Sequence, residues 1–244
     1  MNERQKHVLA AIVEEYSKQA NPVGSQLLIE QYGFDVSSAT LRNDMLALEK
    51  AGLLYQPHTS AGRIPTDAGY RYFVEEIMPD VSLPLAEQKS MQKELLTLRA
   101  KHTRLGRSTA KLLSVLSGNL AVAGLGDSEG LYDFGMKELL ENPEFRELDE
   151  LCRLVEALDS LDEKFDVILA QLGSDETKIF IGKENPIAEI SNCSMMVAPY
   201  ENEEGRGILA IIGPKRMQYA KNKSLLDHMR KLLSASLVLV IFIR

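Results

Sequence analysis

Val36-Ser37-Ser38-Ala39-Thr40-Leu41-Arg42-Asn43-Asp44-Met45-Leu46-Ala47-Leu48-Glu49-Lys50-Ala51-Gly52, running on into Leu53-Leu54-Tyr55-Gln56-Pro57-His58-Thr59-Ser60-Ala61-Gly62-Arg63-Ile64-Pro65-Thr66, is the stretch that decides the fold. The Ser37 and Ser38 hydroxyls suit the free N–H groups of a helix start, and Gly52 suits a left-handed helix end. Leu41, Met45 and Leu48 recur at i, i+4 and i+7, which predicts one buried stripe. Ala39, Arg42, Asn43, Leu46 and Lys50 fall on the opposite side. A solvated surface helix would look much the same, and the segment that follows separates the two readings. Leu53–Tyr55 and Arg63-Ile64 read as short strands around a Pro- and Gly-containing loop with a polar, cationic tip. A helix and then a two-stranded flap is the winged helix-turn-helix arrangement.

In that arrangement the helix lies in the DNA major groove, where arginine pairs with guanine N7/O6 and asparagine with adenine N6/N7. Ser38, Arg42 and Asn43 are therefore the expected base readers. Ser37, Thr40, His58, Thr59, Ser60, Gly62 and Arg63 are expected on phosphate or in the minor groove, where contacts position rather than specify.

Upstream, Glu3 to Lys18 places Val8, Leu9, Ile12, Val13 and Tyr16 on one face, with Asn2 and Gln5 forming a capping box. Asn21-Pro22-Val23-Gly24 reads as a turn, and Ser25 as the cap of a short helix over Gln26–Tyr32. Downstream, Thr66 caps a helix with Tyr70, Phe73, Val74 and Ile77 packing back, ending near Met78-Pro79.

The chain has 244 residues, 45% hydrophobic and 26% charged, an ordinary globular balance. It lacks an uninterrupted apolar run long enough for a membrane span, and its charged N-terminus is unlike a signal peptide. Two cysteines make no disulfide framework, which suits a reducing cytoplasm. The net charge of −7 divides unevenly: −3 over residues 1–78, +4 over 79–117 and −8 over 118–244. The DNA-reading segment is not broadly basic, so non-specific affinity is expected to be weak and two copies are needed on one site.

Within the more basic segment, Met91, Leu95, Leu98, His102, Leu105, Thr109, Leu112 and Leu116 follow a 4-3 spacing, a heptad seam. Self-association through Met91, Leu95, Leu98, Leu105, Leu112 and Leu116 is one reading, and packing on the chain's own core is the other. Gly118 to Gly130, rich in small residues, reads as a loop. Asn142-Pro143-Glu144-Phe145 then opens a helix with Leu148, Leu151, Cys152, Val155 and Leu158 inward. A second helix is expected around Phe165, Ile168, Leu169 and Leu172. Three apolar strands (about 178–182, 194–199 and 207–212) and a helix from about Met217 follow. The apolar stretch Leu237–Ile243 reads as a buried helix end or strand.

Residues 3–75, above all Pro22–Ser25, Ser37–Met45 and Gln56–Thr66, resemble the heat-inducible transcription repressor HrcA family. Ile179–Pro186, Cys193–Tyr200 and Gly207–Ala220 resemble that family's effector domain. The resemblance implies a cytoplasmic homodimeric repressor, binding double-stranded DNA at an inverted-repeat operator of chaperone operons. It also implies release on heat stress and support from a GroE-type chaperonin. It departs in the middle, where the family carries further strands of a GAF-like sheet and an inserted subdomain.

The expected fold is thus α+β: a winged helix-turn-helix over 1–78, a linker and possible dimerisation helix over 79–117, and a shortened GAF-like α/β effector domain over 118–244. The four histidines and two cysteines show no metal-ligand spacing, and no phosphate loop or nucleophile elbow occurs, so neither an enzyme nor a cofactor is expected. Gly182–Asn185 and Gly213–Arg216 read as strand-end turns before they read as the rim of a ligand pocket. Cys152 reads as core and Cys193 as a buried structural thiol. The competing function is a winged helix used for protein docking or ligand sensing, without specific DNA binding.

Overall fold

The computed structural model describes residues 1–101, 105–125, 130–145, 147–159, 176–202 and 205–234, together with Leu161, Lys164, Ile168 and Leu172. The chain divides into two compact units. The first comprises Met1–Asp80 with Lys215–Tyr219, and the second Val81–Pro214 with Ala220–Arg244.

The first unit has three helices, α1 (Glu3–Gln19), α2 (Ser25–Tyr32) and α3 (Ser38–Lys50), then a hairpin of β1 (Leu54–Tyr55) and β2 (Ile64–Pro65), then α4 (Asp67–Tyr72). At the start of α1, Gln5 N donates to Asn2 Oδ1 at 2.8 Å and Asn2 N to Gln5 Oε1 at 3.1 Å, the expected capping box. Val8, Leu9 and Ile12 meet Leu28 of α2 and Leu41, Met45 and Leu48 of α3 in a closed apolar core. The core also holds two buried carboxylates. Asp44 receives Arg4 Nε at 2.6 Å and Nη2 at 3.3 Å, which ties α3 to α1. Glu15 accepts from Tyr32 Oη at 3.1 Å. Burial, and then the bond to Glu15, push the Tyr32 phenol well above its ordinary range, so it stays a donor.

Thr66 caps α4, its Oγ1 accepting from Gly69 N at 3.0 Å while donating to Gly52 O at 2.6 Å. Gly69 is required there, because a Cβ would run into the carbonyl of Leu53. Lys215–Tyr219 close the unit: Lys215 Nζ lies 2.7 Å from Asp67 Oδ1, and the Tyr219 ring lies 5.8 Å from that of Tyr70.

The second unit is built on a five-stranded sheet of order β4-β3-β7-β6-β5, every neighbour antiparallel. The strands are β3 (Leu120–Leu125), β4 (Leu131–Phe134), β5 (Lys178–Ile181), β6 (Cys193–Asn202) and β7 (Gly205–Pro214). Helices α5 (Leu85–Lys101), α6 (Leu105–Ser117), α7 (Met136–Leu140), α8 (Leu148–Asp159) and α9 (Tyr219–Ser234) complete the chain. One face of the sheet, with Leu120, Val122, Phe180, Met195, Val197, Ile208, Ala210 and Ile212, shares a core with Leu139, Phe145, Leu154, Ala157, Ile187 and Ile190. On the opposite face Ala121, Ala123, Leu209 and Ile211 are buried as well. Both faces are covered, which is why these strands read as continuous apolar runs.

Four expectations are corrected here. Gly118–Gly130 is not simply a loop, because Leu120–Leu125 forms β3 between β4 and β7. Helix α6 lies close against it: a Cβ on Gly106 of α6 would come within 2.8 Å of the Tyr132 ring and 3.4 Å of the Ala123 carbonyl oxygen. Asn142 does not open α8. Its amide donates to the Glu138 and Leu139 carbonyls at 3.0 and 3.1 Å, closing α7.

The buried stripe of α8 is Leu154 and Ala157, with Leu151 and Leu158 half-buried, whereas Leu148 is 71% and Val155 43% exposed and Cys152 is exposed. The helix is turned from the expected face because its sheet-side positions continue into Leu161. Ser25 does not cap α2, since Gly24 occupies the cap position and Ser25 is the first helical residue. Of the second helix expected near Phe165, Phe165 and Leu169 lie outside the described residues, while Ile168 and Leu172 are buried in the core. Leu237–Ile243 also lies outside them.

The heptad positions are occupied within the chain. Met91, Leu95, Leu105 and Leu112 are buried in the single chain, with α5 packed on α6 and α6 on β3 and β4. Leu98 and Leu116 are half-buried, and His102 lies outside the described residues. Packing on the chain's own core is thus what engages those four side chains, and α5 and α6 belong to the second unit rather than to a separate linker.

Candidate nucleic-acid interface

Helix α3 begins where Ser37 leaves helical geometry (φ −68°, ψ 153°) and its Oγ accepts from Thr40 N at 3.1 Å. The Thr40 hydroxyl closes on the same oxygen at 2.9 Å. Ser37 and Thr40 therefore hold the helix start. Leu41, Asp44, Met45 and Leu48 turn inward, and Ala39, Arg42, Asn43, Leu46 and Ala47 face solvent.

The hairpin is braced at three points. At its base the chain before α2 pairs with it: Val23 N donates to Arg63 O at 3.0 Å and Arg63 N to Val23 O at 2.9 Å. This bridge converts the expected Asn21–Gly24 turn into a third partner of the hairpin. Gly62 permits it, since a Cβ there would collide with the Val23 backbone. At the tip, the Gln56 amide donates to Thr59 O at 3.0 Å and Ala61 O at 2.8 Å, drawing the loop closed. His58 Nδ1 lies 3.2 Å from Ser60 Oγ. On its side, Arg63 Nε and Nη2 both lie 3.0 Å from Glu49 Oε2 of α3.

Helix α3, the start of α2 and the hairpin enclose a cleft of about 580 Å³, lined by Gly24, Ser25, Arg42, Asn43, Gln56 and Ser60 among others. The structure brings Arg42, Asn43, Thr59, Ser60, Gly62 and Arg63 around this one concavity. Ser38 is linked to its wall through Ser25 Oγ, 2.8 Å from Ser38 Oγ. Ser37, Thr40 and His58 stay outside it. Arg63, expected to face a phosphate, is instead 16% exposed at its side chain and engaged by Glu49. Sequence reasoning missed Ser25, Gln56 and Glu49. Only the Glu49–Arg63 charge pairing left a trace in sequence, and it joins two elements 14 residues apart.

Among the described residues, no cluster of three or more His, Cys, Asp and Glu is placed to hold a metal ion, and no helix is long and apolar enough to cross a membrane. In the second unit, the Asn185 amide donates to the carbonyls of Gly182, Ile190 and Cys193 at 2.7, 3.2 and 2.9 Å. The Gly182–Asn185 turn is thereby stitched from within. The sheet's apolar core leaves a cavity of only about 10 Å³ between Val122, Met195 and Ala210, roughly the limit for one water.

Residues 74–222 match the family model described as the HrcA protein C terminal domain. The chain belongs to the HrcA family. It is 30% identical to the heat-inducible transcription repressor HrcA of Synechococcus elongatus, with 88% of this chain and 92% of that one covered. It is 28% identical to the protein of the same name from Symbiobacterium thermophilum, covering 93% and 96%. The first alignment spans 325 positions although this HrcA chain has 244 residues, so the relative carries a long stretch without counterpart here. A solved structure of a hypothetical protein superposes with a TM-score of 0.72 at 21% identity, covering 96% of each chain, and shows the same fold.

Proposed function

We propose that the chain is a sequence-specific transcriptional repressor of heat-shock operons, its first unit acting as a winged helix-turn-helix. In this reading α3 enters the major groove with Ser38, Arg42 and Asn43 toward base edges, and the β1–β2 hairpin lies along the backbone as the wing. The observation that carries it is the shared cleft, where the exposed arginine and asparagine of α3 and the polar hairpin tip line one concave surface. The family relatives, named heat-inducible repressors, agree with it. Binding as a homodimer to an inverted repeat follows from the weak charge of the unit, since one copy neutralises few phosphates. The second unit, a GAF-like effector shortened relative to the family, couples operator affinity to heat stress and to a GroE-type chaperonin.

The net charge of −3 over residues 1–78 favours a second reading, in which the winged helix docks a protein. Fluorescence anisotropy with an inverted-repeat chaperone operator and a scrambled duplex, at several salt concentrations, separates the two. Preference for the operator by about 10³-fold or more supports the repressor. Equal and steeply salt-dependent binding to both duplexes would turn the assignment to protein docking.

A further inference from the structure

Ser25 sits at the first turn of α2, 6% exposed, at the wall of the cleft. Its hydroxyl has two partners among the described residues: Arg42 Nε donates to it at 3.3 Å, and Ser38 Oγ lies 2.8 Å away. A serine hydroxyl carries one proton and two lone pairs. One lone pair accepts from the Arg42 guanidinium, which leaves the other lone pair and the proton for Ser38 Oγ, where either hydroxyl can donate. The Arg42 Nε–H is therefore held on Ser25 Oγ, and the Ser25 and Ser38 hydroxyls share a bond beside it.

We infer that Ser25 is a positioning residue for base reading, which holds Arg42 by its Nε so that this part of α3 selects guanine. The inference rests on the DNA-binding reading above. With Nε held, the guanidinium keeps its two terminal amino groups free. Their parallel N–H bonds match the paired acceptors O6 and N7, which guanine alone presents in the major groove. The Arg42 guanidinium carries donors only, so it rejects the N6 amino group of adenine and the N4 amino group of cytosine, because each would place donor against donor. Ser25 contributes no contact with DNA of its own.

Two measurements on the full-length chain test this. In the DNA-free protein, the NMR signal of Arg42 Nε–Hε, assigned by its loss in Arg42→Lys, exchanges with water several-fold more slowly than a free surface arginine, and Ser25→Ala removes the protection. In selection from a randomised duplex pool, the wild type enriches one guanine per half-site. Ser25→Ala weakens that preference by about 10-fold, the scale of one bidentate base contact, without changing affinity for unselected duplex or its salt slope. Ser25→Thr, which keeps the hydroxyl, retains the preference, and thermal unfolding verifies that each variant is folded. Unchanged Hε exchange and guanine preference in folded Ser25→Ala would overturn the positioning role while leaving DNA binding in place. Protection lost in Ser25→Ala, with no sequence enriched by the wild type, would overturn the base-reading role together with the DNA reading and leave only the tether.

Discussion

Arg63 Nε and Nη2 converge on the same oxygen of Glu49, each at 3.0 Å, so the arginine of the hairpin is bound to the helix it flanks. An arginine at the base of such a hairpin invites assignment to a DNA phosphate, and here its fork already has a carboxylate. In the proposed binding mode its role is then indirect, through the angle between hairpin and α3. The pair is partly exposed, so a double-mutant cycle over Arg63→Ala and Glu49→Ala should return a coupling of about 1 kcal/mol in urea unfolding. Arg63→Ala should weaken binding to all duplexes alike, and Glu49→Ala should share that defect. If Glu49→Ala strengthens DNA binding while Arg63→Ala abolishes it, the arginine is a phosphate contact held in reserve and the brace is secondary.

Arg42→Ala should act differently, because under the proposed function it removes a base contact instead of a brace. The preference for operator over scrambled duplex should collapse, with the change in unfolding free energy within about 0.5 kcal/mol, as for an exposed position. Anisotropy titrations of both duplexes check it, and loss of selectivity equal to that of Arg63→Ala would contradict the division of roles.

Gly62→Ala tests the close approach at the hairpin base. The added methyl has no room against the Val23 backbone, and backbone yields less than a side chain. The Val23–Arg63 pairing should open, destabilising the first unit by about 1–3 kcal/mol. Amide exchange at Val23 and Arg63 reads this directly. Protection as in the wild type would mean that the hairpin shifts to make space.

On α8, Leu154→Ala and Val155→Ala should diverge although they are neighbours. Leu154 is 1% exposed within the sheet core, and its truncation should cost about 2–5 kcal/mol. Val155 faces outward, and its truncation should stay within about 0.5 kcal/mol. Similar urea midpoints for the two variants would mean that the helix is rotated from the face described.

His228 on α9 gives the second unit a pH dependence. Burial, together with the charge of Lys231, holds its pKa below the ordinary value against the opposing effect of its bond to the Gln88 backbone. The folded state thus binds the proton less readily than the unfolded chain. The associated stability is complete above the unfolded pKa of about 6.5 and is lost as pH falls through the lower folded value. His228→Gln should flatten the fall in melting temperature between about pH 7 and 5. An unaltered slope would assign that fall to carboxylates.

Much of the first unit was legible in the chain because its signals are local. The Asn2–Gln5 box, the Ser37 and Thr66 caps and the Leu41-Met45-Leu48 stripe each lie within one helical turn or one helix face, where spacing alone fixes geometry. The three apolar strands of the second unit were legible for a like reason, since runs such as Ile208–Ile212 fit only a strand covered on both faces. Tertiary structure decided the rest. Leu120–Leu125, with two alanines and a glycine among its six residues, does not announce a strand, and becomes one because β4 and β7 supply backbone partners. The rotation of α8 depends on which face meets the sheet. The bonds that shape the candidate interface, Ser25 with Ser38 and Arg42, Arg63 with Glu49, and Val23 with Arg63, join residues 13 to 40 positions apart. Sequence placed the donors and acceptors along the chain, and only the packing of α2, α3 and the hairpin brought them within hydrogen-bonding distance.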